Sequence, residues 1–211
     1  MLSFPSHDVP DHWVAVVDDQ NRFIRWTSRA EIHQKYLPHR SIQAMIFTLD
    51  HHLVIQKRHP QKQTYPNHWD LSSSGHVERI DYRLSDLERL NQEWQSIQDP
   101  TFSHEFSSQS QFDHHQVYHR VALKEVHEEI GIELSNLDLI DTFTPLEGVH
   151  YEHFHLFRGF SNGPFVPQET EVAEIRTLSQ TEWSDFIKAH PCTNSFKMLV
   201  HRAIEQNWWP T

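Results

Sequence analysis

The alternation of apolar and polar positions predicts strands interleaved with helices along this chain. Short, mostly apolar runs bounded by polar turns have the length of strands, and they cover residues 13–17, 23–26, 42–49, 53–57, 137–143, 151–160 and 175–178. Residues 69–75 are expected to form a strand and then a turn. Apolar residues recur at helical spacing over 28–36, 84–98, 121–132 and, in two C-terminal helices, within 180–208. This interleaving is typical of an α/β sandwich around a mixed sheet.

Local signals mark several ends of these elements. Ser85-x-x-Glu88 and Ser179-x-x-Glu182 have the form of capping boxes, in which the two side chains accept each other's backbone N–H groups. Thr27 or Ser28 can cap the first helix. Asn162-Gly163 is a dipeptide typical of a tight hairpin, so we expect a turn between two strands there.

One predicted helix, over residues 121–132, concentrates negative charge on a single side. Glu125, Glu128 and Glu129 stand at positions i, i+3 and i+4, so their carboxylates share one face. Gly131 stands where helices often end in a left-handed residue. A divalent cation that prefers oxygen ligands is the natural counter-charge for this face. The alternative interpretation is an ordinary acidic face in contact with water.

Composition excludes several classes of protein. The formal net charge of −11 argues against general binding to nucleic acid or to an anionic membrane. No apolar run has membrane-spanning length, and the N-terminus lacks the pattern of a signal peptide. A single cysteine, Cys192, rules out an internal disulfide framework and predicts a reducing compartment such as the cytoplasm. A small anionic ligand remains compatible with this charge if a metal neutralises it locally.

Two motifs resemble a known family. The segment 124–132, Lys-Glu-Val-His-Glu-Glu-Ile-Gly-Ile, resembles the second half of the Nudix box, and Gly75 resembles the opening glycine of that box. Residues 53–58, Lys62, 65–66, 69–70 and 75–77 are similar to the isopentenyl-diphosphate isomerase-like branch of the superfamily. The resemblance implies a single Nudix domain over residues 1–211, with the α/β/α sandwich fold.

Three departures separate the chain from the family pattern. Lys124 stands where the box has arginine, and lysine offers a point charge instead of a planar fork. Asp81 replaces a glutamate. A helical insertion, about residues 81–116, separates the two halves of the box. Within it we expect a helix to Gln98 and then a mobile loop or lid over residues 100–116, packed beside the cleft.

The resemblance implies a metal-dependent hydrolase that acts on a small-molecule diphosphate. The metal, Mg²⁺ or Mn²⁺, is assigned to Glu125, Glu128 and Glu129. Catalysis is assigned to Glu128, Glu129 and a carboxylate from a later loop, for which Glu171 is the first candidate and Glu147 the second. The predicted substrate-binding residues are His39, Arg58, Lys62, Ser74, Gly75 and His76. A homodimer is a further expectation.

Two other functions stay open at this point. An isopentenyl-diphosphate isomerase would share much of the pattern, and His39 and His76 align with metal-site histidines of that enzyme. The isomerase has a catalytic cysteine where this chain has Ser74, whose hydroxyl has a much higher pKa than a thiol. A Nudix-fold module that binds a ligand without catalysis is the other alternative. His153 and His155, on alternate strand positions, could hold a transition metal or simply face solvent.

Overall fold

The computed structural model describes residues 9–98, 114–147 and 150–211. Its strands are β1 (Val14–Val17), β2 (Phe23–Thr27), β3 (His39–Phe47), β4 (Leu53–Arg58), β5 (Trp69–Asp70), β6 (Ser73–His76), β7 (Asp138–Phe143), β8 (Glu152–Phe160) and β9 (Val172–Leu178). Its α-helices are α1 (Arg29–Lys35), α2 (Leu84–Gln98), α3 (His115–Ile130), α4 (Trp183–Ala189) and α5 (Asn194–Glu205). The interleaved strands and helices confirm the predicted α/β class.

The described residues form two compact units that are interleaved in sequence. The first contains residues 9–41, 76–98, 114–121, 143–147 and 150–154. In it β1 pairs with β2 in an antiparallel arrangement, and Val16 of β1 also pairs with His39. Helix α1 begins after Ser28, whose hydroxyl accepts the Glu31 N–H, and it packs Ile32 against Val14 and Val16.

The second unit contains residues 42–75, 122–142 and 155–211. Its centre is β4, which pairs antiparallel with β3, β5 and β9. Residues 42–47 of β3 and 53–55 of β4 are buried, as expected of strands covered on both faces. A parallel bridge joins Trp69 to Cys192, so the strand pairing is mixed.

Three local predictions need correction. Helix α3 begins at His115 instead of residue 121, because Val117 and Tyr118 are buried and extend the apolar face upstream. Helix α2 begins at Leu84, so Ser85 lies inside it, and the Arg83 N–H is accepted by Asp86. The Asn162-Gly163 hairpin is absent, since β9 pairs with β4.

The Ser179-Glu182 box forms, but it precedes the helix. Each residue's backbone N–H is accepted by the other's side chain, at 2.9 Å and 3.3 Å, and α4 then begins at Trp183.

The predicted insertion is only partly within the described residues. Its helix is present as α2, and it is preceded by a short 3-10 turn over Arg79–Asp81. Asp81 accepts the Glu78 N–H at 2.8 Å within this turn. The predicted loop falls mainly on residues 99–113, which lie outside the described residues, and its last residue, Gln116, belongs to α3. Among the described helices, none combines the length and hydrophobicity needed to cross a bilayer.

Candidate active site

The last turns of α3 carry the three predicted metal ligands. Ala122, Val126 and Ile130 are buried, so Glu125 and Glu129, which lie on an adjacent strip of the helix, are carried partly inward. Glu129 is 6% exposed, Glu125 is half-buried and Glu128 is exposed.

The end of α3 is fixed by a glycine and by a later segment of the chain. Gly131 has a φ of 73°, the left-handed conformation predicted for it. The carbonyl groups of Glu129 and Ile130 accept the N–H groups of Gln168 and Val166 at 3.0 Å and 2.9 Å. These bonds satisfy carbonyl groups that a helix end leaves without an intrahelical donor.

Glu129 is held by donors from two other elements of the second unit. Its Oε2 accepts Nε2–H of Gln56 at 2.9 Å and the backbone N–H of Ser74 at 3.0 Å. Burial raises the pKa of Glu129, and the Ser74 N–H bond opposes that effect. Ser74 therefore contributes to this site through its backbone N–H group.

The close approach of the Glu125 side chain explains why position 75 is a glycine. A Cβ atom at position 75 would overlap Cδ and Cγ of Glu125, so only glycine leaves room for that side chain. Burial and then the nearby Glu129 charge raise the pKa of Glu125 to about 8. Lys124, which replaces the family's arginine, places Nζ 3.4 Å from Oε1 of Glu125 and acts against this shift.

These carboxylates fit a hard divalent cation. Two of the three are carried inward, where burial raises their pKa values, so a cation beside them would favour their charged forms. Oxygen donors spaced one helical turn apart are the ligands that Mg²⁺ and Mn²⁺ take.

The predicted phosphate-facing cations have protein partners in this structure. Lys62 forms an ion pair with Glu171. Arg58 lies 3.4 Å from Asp70 through Nη1, and its Nε and Nη2 donate to the carbonyl and hydroxyl oxygens of Thr64 at 3.1 Å and 3.2 Å. Glu147, the second candidate for the later carboxylate, is exposed.

A second cluster of ligand-type side chains lies in the first unit. One ligand atom each from His39, His76 and Glu152 falls within 4.8 Å of the others, the one such group among the described residues. The rings of His39 and His76 stack at 5.0 Å, and His33 contacts both rings edge-on.

The hydrogen bonds of this cluster prepare its members differently. Nδ1–H of His39 donates to the Leu37 carbonyl at 2.8 Å, which directs Nε2 toward Oε1 of Glu152 at 3.5 Å. Nδ1 of His76 accepts a hydrogen bond from Arg29 at 3.1 Å. A metal on Nε2 would require the ring proton to sit on Nδ1, so the bond from Arg29 would be lost.

The pKa values of two cluster members suit ligation. Burial and the neighbouring His39 and Arg29 charges keep the pKa of His76 well below its usual value. Burial alone would raise the pKa of Glu152, but His39, His76 and His150 lower it to about 2. His76 is therefore neutral and Glu152 charged near pH 7, the forms that bind metal.

Glu152 is a residue that sequence reasoning missed. It precedes the noted His153 and His155, but no spacing links it to residues 39 and 76. His153 itself is buried and donates from Nε2 to the Asp18 carbonyl at 3.0 Å, and neither it nor His155 belongs to the cluster.

Comparison with known proteins gives one sequence match and a set of similar structures. No family model matches the chain. An uncharacterized Nudix hydrolase from Clostridium acetobutylicum is 34% identical over 70 residues, which is 32% of this chain and 34% of that protein. The matched segment therefore spans about a third of that curated relative.

Two solved structures show the fold of the chain. DR0079 from Deinococcus radiodurans aligns with a TM-score of 0.61 at 16% identity, covering 90% of this chain and 98% of that one. A MutT protein from Methanosarcina mazei aligns with a TM-score of 0.51 at 17% identity, covering 81% and 95% of the two chains. At these identities the likeness concerns the fold alone, and it does not bear on the narrower resemblance to the isomerase-like branch.

Proposed function

We propose that the chain belongs to the Nudix hydrolase superfamily and is a metal-dependent enzyme that cleaves a diphosphate linkage. The substrate would be a nucleoside diphosphate derivative or a similar small diphosphate. The observation that carries the proposal is the crowding of Glu125 and Glu129 beside Gly75 and Ser74, which calls for a compensating divalent cation.

Glu125, Glu128 and Glu129 would hold Mg²⁺ or Mn²⁺, which would neutralise phosphoryl oxygens and make a bound water more acidic. Gln56 and the Ser74 N–H fix the orientation of the Glu129 carboxylate. Glu171 would accept a proton as the water oxygen forms a bond to phosphorus. The bridging P–O bond then breaks, and the departing phosphate keeps the electron pair.

The test combines a substrate panel with matched variants. Nucleoside diphosphate derivatives and prenyl diphosphates are incubated with Mg²⁺ or Mn²⁺, and product is measured for wild type, Glu129→Gln and Glu133→Gln. We expect Glu129→Gln to lower turnover roughly 10²–10³-fold, as loss of one electrostatic stabiliser does. Glu133 is exposed and follows the helix, so its variant should match wild type. Near-normal turnover in Glu129→Gln would contradict the assigned site, and no turnover by the wild type on any diphosphate would favour the ligand-binding module.

A second candidate function is favoured by the His39–His76–Glu152 cluster. A nitrogen-containing ligand set suits Mn²⁺ or Zn²⁺, and the alignment of these histidines with the isomerase site makes isomerase-like chemistry the alternative. Ser74 in place of the cysteine argues against it. Isomerisation of isopentenyl diphosphate that is lost in His39→Ala would establish the isomerase. Hydrolysis without isomerisation would exclude it.

The remaining predictions concern the whole chain. We propose one Nudix domain over residues 1–211, a small-molecule partner, and no nucleic acid or membrane partner. A cytoplasmic location and a homodimer also stay predictions, which fractionation and light scattering would test.

A further inference from the structure

Two residues assigned separately from sequence, Lys62 and Glu171, are bound to each other. Their charged groups are in direct contact, and their side chains are 22% and 37% exposed. The backbone around them is anchored, because His59 donates to the Glu171 carbonyl at 2.9 Å and accepts from the Lys62 N–H at 3.1 Å. These bonds hold the backbones of the two residues together independently of their side chains.

Lys62 also acts on one carboxylate of α3. Its charge is among the influences that lower the pKa of Glu129. The segment that ends in Glu171 is tied to the same helix, since the Gln168 N–H donates to the Glu129 carbonyl and Gln168 accepts from the Glu171 N–H at 2.9 Å. One ammonium group thus serves the proposed base and a proposed metal ligand.

We propose that substrate exchanges this contact: a phosphate group replaces Glu171 as the partner of Lys62, and the carboxylate of Glu171 is released. This inference rests on the proposed function and adds to it. Before substrate binds, the carboxylate of Glu171 is paired with the ammonium group of Lys62. Once a phosphate takes the ammonium group, Glu171 becomes free to accept a proton from water, so the base is released only when substrate is present.

Charge and exposure favour the exchange at Lys62 over Arg58. A phosphate oxygen carries more charge than a carboxylate and gives a stronger charge-assisted bond to an ammonium group. A partly exposed ion pair between flexible side chains is easily replaced. Arg58 is instead held by Asp70 and by two oxygens of Thr64, and Asp70 is itself buried and bound to Thr193. Arg58 is therefore held within its loop, whereas the Lys62–Glu171 ion pair is partly exposed and can be exchanged for a phosphate.

The rival interpretation is a structural tether, in which the ion pair only fastens the loop after β4 to the start of β9. The two interpretations predict opposite effects for Glu171→Gln. Exchange predicts tighter phosphate binding, because Lys62 loses its competing partner. A tether predicts weaker or unchanged binding, because the loop is loosened or unaffected.

The experiment is calorimetric titration of inorganic pyrophosphate into the full chain at a fixed Mg²⁺ concentration. We expect Lys62→Met to weaken binding about tenfold and Glu171→Gln to strengthen it roughly three- to tenfold. The charge-matched controls Lys188→Met and Glu174→Gln remove ions that pair with Asp185 and Arg176, and both should bind as wild type does. Weaker or unchanged binding in Glu171→Gln overturns the exchange.

Turnover on the best substrate separates this inference from the function on which it rests. Exchange predicts that Glu171→Gln lowers KM and kcat together, because substrate binds more easily and the base is lost. If diphosphates are cleaved but Glu171→Gln does not tighten pyrophosphate binding, the function stands and the exchange fails. If pyrophosphate binding changes as expected while no diphosphate is cleaved, the exchange stands and the hydrolase assignment fails.

Discussion

Single residues at the candidate site are explained by contacts that no local pattern reveals. Gly75 was identified from its place in a family motif, but the structure supplies the physical cause, which is the Glu125 side chain lying where a Cβ would be. The three glutamates were identified from helical spacing. Spacing could not show that Glu129 is buried and hydrogen-bonded while Glu128 is exposed, because burial depends on what packs against the helix.

Substitution of Gly75 by alanine should separate metal binding from stability. The new Cβ would push aside the Glu125 carboxylate, the end of a flexible side chain, so the fold should survive and Mg²⁺ affinity should fall roughly tenfold. Calorimetry and thermal unfolding measure the two effects. Gly159→Ala is the contrasting variant, because its Cβ would meet Leu137, Leu134 and Ile46, and it should lower the unfolding temperature instead. Unchanged Mg²⁺ affinity in Gly75→Ala would contradict the role of Glu125.

Among the elements, helix α2 shows what periodicity can and cannot supply. Its apolar spacing predicted its extent, but its attachment depends on a buried arginine that has no sequence signature. Arg40 is fully buried, donates to Asn21 and Tyr82, and lies 3.5 Å from Glu93 of α2. Asp86 of the same helix accepts from Arg120 at 2.7 Å. A helix predicted as an insertion is thus joined by charge to the core of the first unit.

Glu93→Gln should therefore destabilise the protein although Glu93 belongs to the insertion. Removing the charged acceptor of a buried arginine costs about 2 kcal/mol, or roughly 4–8 °C in unfolding temperature for a chain of this size. Glu88→Gln, an exposed site on the same helix, is the matched control and should leave the temperature unchanged. Equal unfolding temperatures for the two variants would show that Arg40 does not depend on Glu93.

At the scale of the whole molecule, the sequence predicted which segments are strands and which are helices, but it did not predict how they pair and pack. Most strands of the second unit were predicted from short apolar runs, whereas β6 is polar and lies where a turn was expected. The central place of β4 follows from pairing with segments distant in sequence. The His39–His76–Glu152 cluster could not be predicted from the sequence for the same reason, because it joins three separate segments. Local patterns record burial and turn chemistry, whereas partners across the chain are fixed by the packed fold.

Stability should depend on pH through the α3 carboxylates when metal is absent. The folded-state pKa of Glu125, about 8, lies above the usual 4.5, so the folded protein holds an extra proton and loses stability as pH rises toward 8. His76, His150 and His153 have lowered pKa values and act mainly below pH 7.

In EDTA, chemical denaturation between about pH 6.5 and pH 8.5 should show the free energy of unfolding falling by roughly 1–2 kcal/mol. Glu125→Gln should show a flatter profile, and saturating Mg²⁺ should stabilise the wild type most at high pH. The same pH profile for wild type and variant would show that Glu125 is not responsible.

The backbone hydrogen bonds from Val166 and Gln168 to the end of α3 limit how the loop after β8 can be redesigned. These two positions act through their N–H groups, so they accept most side chains but exclude proline, which has no N–H. Pro164 and Pro167 already occupy neighbouring positions. A library aimed at new substrates can therefore vary the side chains of this loop widely, provided that proline stays out of 166 and 168 and Gly131 is kept. A loop graft that breaks this rule would disturb the α3 carboxylates and Glu171 together, and lost activity would then be mistaken for a change in specificity.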